Sequence, residues 1–351
     1  MAELGVDALL LSLGADLPWL TGYEAMPLER LTMLVLPADG DATLVVPALE
    51  APRVAEDRSL FSLRPWSETE DPVAIVAGLV GRRSVLAVSD RTWATFVLAL
   101  QARLSGSTWR SASEVTWPLR AVKDEAEIAA LRRAAAAADR VAAQLMAGDV
   151  PLMGRSESEV SADLGRRLRA EGHQRVNFAI VGSGPNSASP HHEPGPRRIG
   201  AGEAVVCDFG GALDGYCSDI TRTVFTGEPP TEFAELYTVL QGAQATAVAA
   251  ATEGTACEAV DMAARRIIDD AGFGAHFIHR TGHGIGLEEH EHPYLVSGNA
   301  DPLVAGNAFS VEPGIYLADH WGARIEDIVV ATPSGPEALN TVSHDLAVVE
   351  P

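Results

Sequence analysis

The chain has 351 residues, of which 47% are hydrophobic and 21% charged, with a formal net charge of −22 at pH 7. That length and balance describe a globular protein of about two domains, not a disordered chain. The acidic field argues against nucleic-acid binding and against anionic membrane surfaces, and it suits cations. No apolar run approaches the ~18 residues of a membrane helix. The opening Met1-Ala2-Glu3-Leu4 lacks a basic signal region, and three cysteines without CxxC spacing fit a reducing compartment. A cytoplasmic protein is expected, with Cys207, Cys217 and Cys257 as small buried residues.

In chain order, Asp7–Leu13 reads as a buried strand. Leu31–Leu36 and Thr43–Val46 read as strands joined by the turn Ala38-Asp39-Gly40-Asp41. Helical patterns over Pro72–Val80 and Thr92–Leu104 bracket a strand at Ser84–Val88. This alternation predicts an α/β layer domain over residues 1–118, carrying no phosphate loop. Glu114–Val122, with Trp117-Pro118, reads as a linker. The second domain, 119–351, opens on an acidic helix start at Lys123-Asp124-Glu125 and runs helical through Ala147. Ser156-Glu157-Ser158-Glu159 and Thr255-Ala256-Cys257-Glu258 read as capping boxes, and Pro230–Thr252 as a further helix. Strands are expected at Val176–Val181, Ala204–Phe209, Tyr216–Val224, Ala308–Ile315 and Ala323–Val330.

The chemistry concentrates in this second half. All ten histidines lie at or after His173, whereas five of six tryptophans lie at or before Trp117. Asp208 and Asp219 sit on apolar runs either side of the hairpin signal Asp214-Gly215, which places them about opposite each other on neighbouring strands. Opposed like charges in an apolar setting call for a divalent cation. Two further apolar runs carry acids, Phe309-Ser310-Val311-Glu312-Pro313-Gly314 and Arg324-Ile325-Glu326-Asp327. His279, His283, His290 and His292 fall within fourteen residues, interleaved with glycines that allow close backbone approach. Four carboxylates with one imidazole form a hard ligand set that suits Mn²⁺, Co²⁺, Fe²⁺ or Zn²⁺. Their charge calls for two ions sharing bridging carboxylates and an activated water.

These blocks, in this order over roughly residues 123–351, resemble the pita-bread metallopeptidases: prolidase, Xaa-Pro aminopeptidase and methionine aminopeptidase. The N-terminal part resembles the domain preceding the catalytic one in creatinases and prolidases. The resemblance implies an α/β (α+β) protein, a creatinase/prolidase-like domain followed by a pita-bread domain. It implies Asp208, Asp219, His283, Glu312 and Glu326 as ligands of two divalent ions, manganese first among the candidates. Glu312 doubles as general base, His191 and His279 bind substrate, His290 stabilises the tetrahedral intermediate, and Arg324 stands beside the bridging Glu326. The implied partner is a small peptide with proline at position 2, and the implied assembly a homodimer. The implied activity is that of a prolidase. An Xaa-Pro aminopeptidase is the alternative, and a non-catalytic binding protein the remote one.

Two positions depart from the family pattern. Tyr294 stands where many prolidases carry an arginine for the substrate carboxylate, with Arg30 as candidate substitute. Asn177 stands where the family often has a pocket phenylalanine.

Overall fold

The computed structural model describes residues 1–350. The chain divides into two compact units, Met1–Leu119 and the residues from Arg120 onward. The N-terminal unit contains β1 (Ala8–Leu11), α1 (Asp16–Thr21), β2 (Met33–Pro37), β3 (Thr43–Pro47), β4 (Ser62–Trp66), α2 (Pro72–Val80), β5 (Val85–Val88), α3 (Ala94–Arg103) and β6 (Thr108–Ser111). Its six strands form one sheet in the order β4-β3-β2-β1-β5-β6. The Ala-Leu-Leu-Leu run of β1 does not alternate because both faces are covered. Leu9 and Leu11 enter one apolar cluster, and Ala8 and Leu10 the other. α2 starts where Asp71 accepts a hydrogen bond from the Ala74 amide ahead of Pro72.

The expected linker is instead the helix α4 (Ser113–Arg120), with Pro118 inside it. Burial of Val115 and the bond from Thr116 Oγ1 to the Ala112 carbonyl hold it despite the proline.

The C-terminal unit continues with α5 (Glu125–Met146), α6 (Glu157–Ala170), β7 (Arg175–Ser183), β8 (Ala204–Leu213), β9 (Tyr216–Thr226), α7 (Thr231–Ala250) and α8 (Cys257–Asp270). Then follow β10 (Gly282–Gly284), β11 (Glu291–Leu295), β12 (Ala308–Val311), β13 (Gly314–Leu317), β14 (Trp321–Arg324), β15 (Asp327–Thr332), β16 (Gly335–Ala338) and β17 (Ala347–Val349). One sheet runs β17-β9-β8-β7, a second β11-β10-β12-β15-β16, and β13-β14 form a two-stranded ribbon. α5 and α6 cover the first sheet through Val141, Leu145 and Leu164 against Cys207, Phe209 and Ile220. α7 and α8 cover the second through Leu236, Leu240 and Val260 against Phe309, Val311 and Val329. Among the described residues no helix is long and apolar enough to cross a membrane.

Both α5 and α6 start on complete capping boxes, Asp124 with Glu127 and Ser156 with Glu159. The box expected at Thr255–Glu258 does not form, and α8 starts after Ala256 with no side-chain cap. Its orphan amides are met by backbone instead, Cys257 on the Asp301 carbonyl and Glu258 on that of Asn299. Two expected strands are each broken. Ala308–Ile315 splits into β12 and β13 around Glu312-Pro313, and Ala323–Val330 splits into β14 and β15 around Ile325-Glu326. Pro313 cannot donate to a ladder, so the chain leaves the sheet at the first break. Both glutamates therefore stand at crossings from ribbon to sheet.

Candidate active site

Along β8 and β9 the side chains alternate in direction. Cys207, Phe209 and Ile220 enter the core under α5 and α6, so Asp208 and Asp219 share the opposite face. They are not directly opposed: Asp208 pairs with Thr221, and Asp219 with Gly210. The two acids are diagonal neighbours two positions apart along β9, close enough for Asp208 to add to the rise of the Asp219 carboxyl. Glu326 reaches the same face through an isolated bridge to Thr221, whose Oγ1 donates to Glu326 Oε2 at 2.6 Å.

His283 stands mid-way along β10 between two glycines that have no room for a side chain. A Cβ on Gly282 would lie 1.9 Å from the Ser310 carbonyl oxygen, and one on Gly284 2.3 Å from the backbone of His292. His283 donates from Nδ1 to the Gly284 carbonyl at 3.2 Å. Nε2 then faces inward, 3.2 Å from Glu312 Oε1 and 3.7 Å from Asp219 Oδ2. Ligand atoms of Asp219, His283 and Glu326 all lie within 4.8 Å of one another.

These groups line one cavity of about 450 Å³, with Phe178, Ile180, Pro190, His191, His279, Arg280, Glu289, His290 and Arg324. Its electrostatics are poorly matched among protein groups alone. Burial pushes the Asp219 carboxyl well above its ordinary value, and the charges of Glu326, Asp208 and Glu312 add to the rise. Burial does the same to Glu326, helped by Glu312 and Asp208. Burial also raises Glu312, but hydrogen bonding and charge from His283 outweigh it and hold that carboxyl at about 2. Asp208 Oδ1 is buried without a hydrogen-bond partner. An orphaned carboxylate oxygen, crowded acids and an inward imidazole nitrogen together fit divalent cations.

Arg324 offsets part of this charge. Its Nη2 pairs with Asp208 Oδ2 at 2.5 Å, and its Nη1 donates to Tyr316 Oη at 3.0 Å. Tyr316 in turn donates to His279 Nε2 at 2.9 Å, since His279 Nδ1 donates to the Arg280 carbonyl at 2.7 Å. His290 meets His283 edge to face at 4.1 Å. Burial, with the charges of His283 and Arg280, lowers its pKa to about 4, so it is a neutral imidazole at pH 7.

The lining comes wholly from the C-terminal unit. Tyr294 is not part of it; its ring lies 4.4 Å under the Arg280 guanidinium. Arg30, in the N-terminal unit, has its guanidinium in ion pairs with Glu29 and Glu68 at 2.5 and 2.9 Å. Asn177 is replaced as the pocket residue by its neighbour Phe178, because the β7–β8 register shifts between Val176 and Phe178. Asn177 instead accepts from Arg175 Nε at 2.7 Å.

Three residues that sequence reasoning passed over shape the site. Arg222, fully buried, donates to Asp327 and to the carbonyls of Thr221, Glu326, Val342 and Ser343. It thereby ties β9 to the Glu326 crossing. Tyr316 links Arg324 to His279, and its place in Val311-Glu312-Pro313-Gly314-Ile315-Tyr316 was the available signal. Glu157 is fully buried and accepts from Ser183, Asn186 and His192, the last at 2.7 Å, knotting the segment that carries Pro190 and His191. Glu157→Gln is expected to cost about 1–3 kcal/mol of stability by leaving those donors mismatched. It should also raise KM more than it lowers kcat; thermal melts and initial rates check both.

Metallopeptidase family M24 matches residues 129–333, and the creatinase/prolidase N-terminal domain matches residues 1–122. The chain belongs to metallopeptidase family M24. It is 45% identical to the probable dipeptidase PepE of Mycobacterium tuberculosis over 99% of this chain and 93% of that protein. The solved dipeptidase PepE of Mycobacterium ulcerans is also 45% identical, with a TM-score of 0.93 over 100% of this chain and 95% of that one. A recombinant prolidase from Thermococcus sibiricus is 36% identical, with a TM-score of 0.93 over 100% and 96%. The N-terminal α/β layer and the C-terminal pita-bread unit are thus the two parts of this M24 protein, and divalent metal use comes with the family.

Proposed function

We propose that this M24 chain hydrolyses the Xaa-Pro bond of dipeptides with two divalent ions, held by Asp208, Asp219, His283, Glu312 and Glu326. The observation that carries the reading is the convergence of all five on one cavity, with no lysine and only two arginines in its lining. A divalent pair bound there supplies polarisation of the scissile carbonyl and a water acidic enough to ionise near neutral pH. Manganese is the first candidate, with Co²⁺, Zn²⁺ or Fe²⁺ compatible with the same donors.

The chain's own groups do the rest. Glu312, held ionised and steadied by Ser310 Oγ at 3.2 Å, accepts the proton of the attacking water. Neutral His290 donates to the oxygen on which charge develops. Arg324 holds Asp208 in place and offsets part of the burial that raises its carboxyl. Phe178, Ile180 and Pro190 give the cavity an apolar side, which suits a pyrrolidine ring. The mycobacterial dipeptidase and the prolidase similar to this chain support the dipeptide reading. Tyr294 favours a second reading, release of the N-terminal residue from longer peptides, because a phenol offers no charged clamp for a terminal carboxylate.

Initial rates on an Xaa-Pro dipeptide and an Xaa-Pro-Xaa tripeptide test this. The dipeptide is expected to have the higher kcat/KM by about tenfold or more, the worth of one charged hydrogen bond. Equal or faster tripeptide cleavage would replace the first reading with the second, and cleavage of neither would sink both.

A further inference from the structure

The cavity is lined by five acids and by two permanent cations, Arg324 and Arg280. Arg324 is committed: its guanidinium is bonded to Asp208, Tyr316 and Thr221. Arg280 is not. Among the described residues it forms no ion pair and no side-chain hydrogen bond, although it is only half-buried beside the acids. Its one partner is the Tyr294 ring, which it covers at 4.4 Å. A guanidinium held over a ring by its carbon spends no N–H on that contact, so its donors are free to meet a carboxylate with two parallel bonds. The main chain behind it is fixed. Arg265, paired with Asp261 at 2.9 Å, donates to the carbonyls of Phe277 and His279, and His279 donates to that of Arg280.

A dipeptide brings a free carboxylate within one residue of its scissile bond, and a cavity with this many acids repels it. Of the protein's own groups in the lining, Arg280 is the cation left to meet it. We propose that Arg280, seated on Tyr294, binds the terminal carboxylate of the dipeptide substrate and sets the preference for dipeptides. This rests on the Xaa-Pro dipeptidase reading. Position 294 then contributes a platform for the cation, and the cation itself comes from the neighbouring strand's approach.

The test compares an Xaa-Pro dipeptide with its C-terminal amide, which lacks the carboxylate, on wild type, Arg280→Gln, Tyr294→Phe and Tyr294→Ala. Arg280→Gln is expected to raise KM for the dipeptide about 10- to 100-fold, with kcat kept within a few-fold. KM for the amide should hardly move. Tyr294→Ala should follow in the same direction, and Tyr294→Phe, which keeps the ring, should not. An unchanged dipeptide KM in Arg280→Gln, or equal losses on dipeptide and amide, would overturn the assignment while leaving the dipeptidase reading standing. A wild type that cleaves neither substrate would overturn the dipeptidase reading, and the assignment with it.

Discussion

Asp219→Asn is expected to lose kcat/KM on the order of 10³-fold or more, and yet to raise the melting temperature of metal-stripped protein. Asp219 is 4% exposed and surrounded by Glu326, Asp208 and Glu312, all of which push its carboxyl towards the neutral form. An ionised group in that position destabilises the fold unless a cation is bound, and the amide removes the charge with little change of shape. The sign follows from linkage. A carboxyl whose folded pKa is raised costs stability above that pKa, and the cost fades as the pH falls towards the ordinary 3.8. The advantage of Asp219→Asn over wild type, both in chelator, should therefore grow as the pH rises and shrink in acid. With metal restored the order should reverse, since the wild type gains binding energy that the amide forgoes. Thermal melts at two pH values, with and without metal, check all four corners.

Arg222→Met should have the largest effect on stability. The guanidinium is fully buried and donates to four carbonyls and to Asp327, at 2.7 to 3.0 Å. Removing it leaves Asp327 with only His344 and Gln244 as partners. Breaking such a pair from one side costs about 3–5 kcal/mol. For a unit of this size that corresponds to a fall in Tm on the order of 10 °C. Arg222→Met/Asp327→Leu should recover part of the loss, because replacing both partners removes the stranded charge. A double variant no more stable than Arg222→Met would mean that the carbonyl contacts, not the ion pair, hold the β9 crossing.

Much of this site was legible because its residues announce themselves locally. Asp208 and Asp219 interrupt apolar runs around a turn, and Glu312 and Glu326 do the same in the second block. A charge inside a strand pattern needs a reason, and the pattern needs no partner to be seen. The Ser156–Glu159 box was legible for the same cause, since capping is a four-residue affair. What escaped depends on partners far along the chain. The register of Asp208 against Thr221 is set by the whole hairpin. The start of α8 is set by carbonyls of Asn299 and Asp301, more than forty residues away. The splits at Glu312 and Glu326 exist because each half joins a different sheet, and only Pro313 gives a local hint. Nothing local marks Arg222 or Glu157 as scaffold; burial by neighbours distant in sequence makes them so.

The most direct measurement is metal content against activity on one preparation. Protein stripped by chelator, and shown metal-free by elemental analysis, should hydrolyse no Xaa-Pro dipeptide. Titration with Mn²⁺ should restore activity and saturate at two ions per chain. Xaa-Pro hydrolysis at the untreated rate by verified metal-free protein would contradict the account.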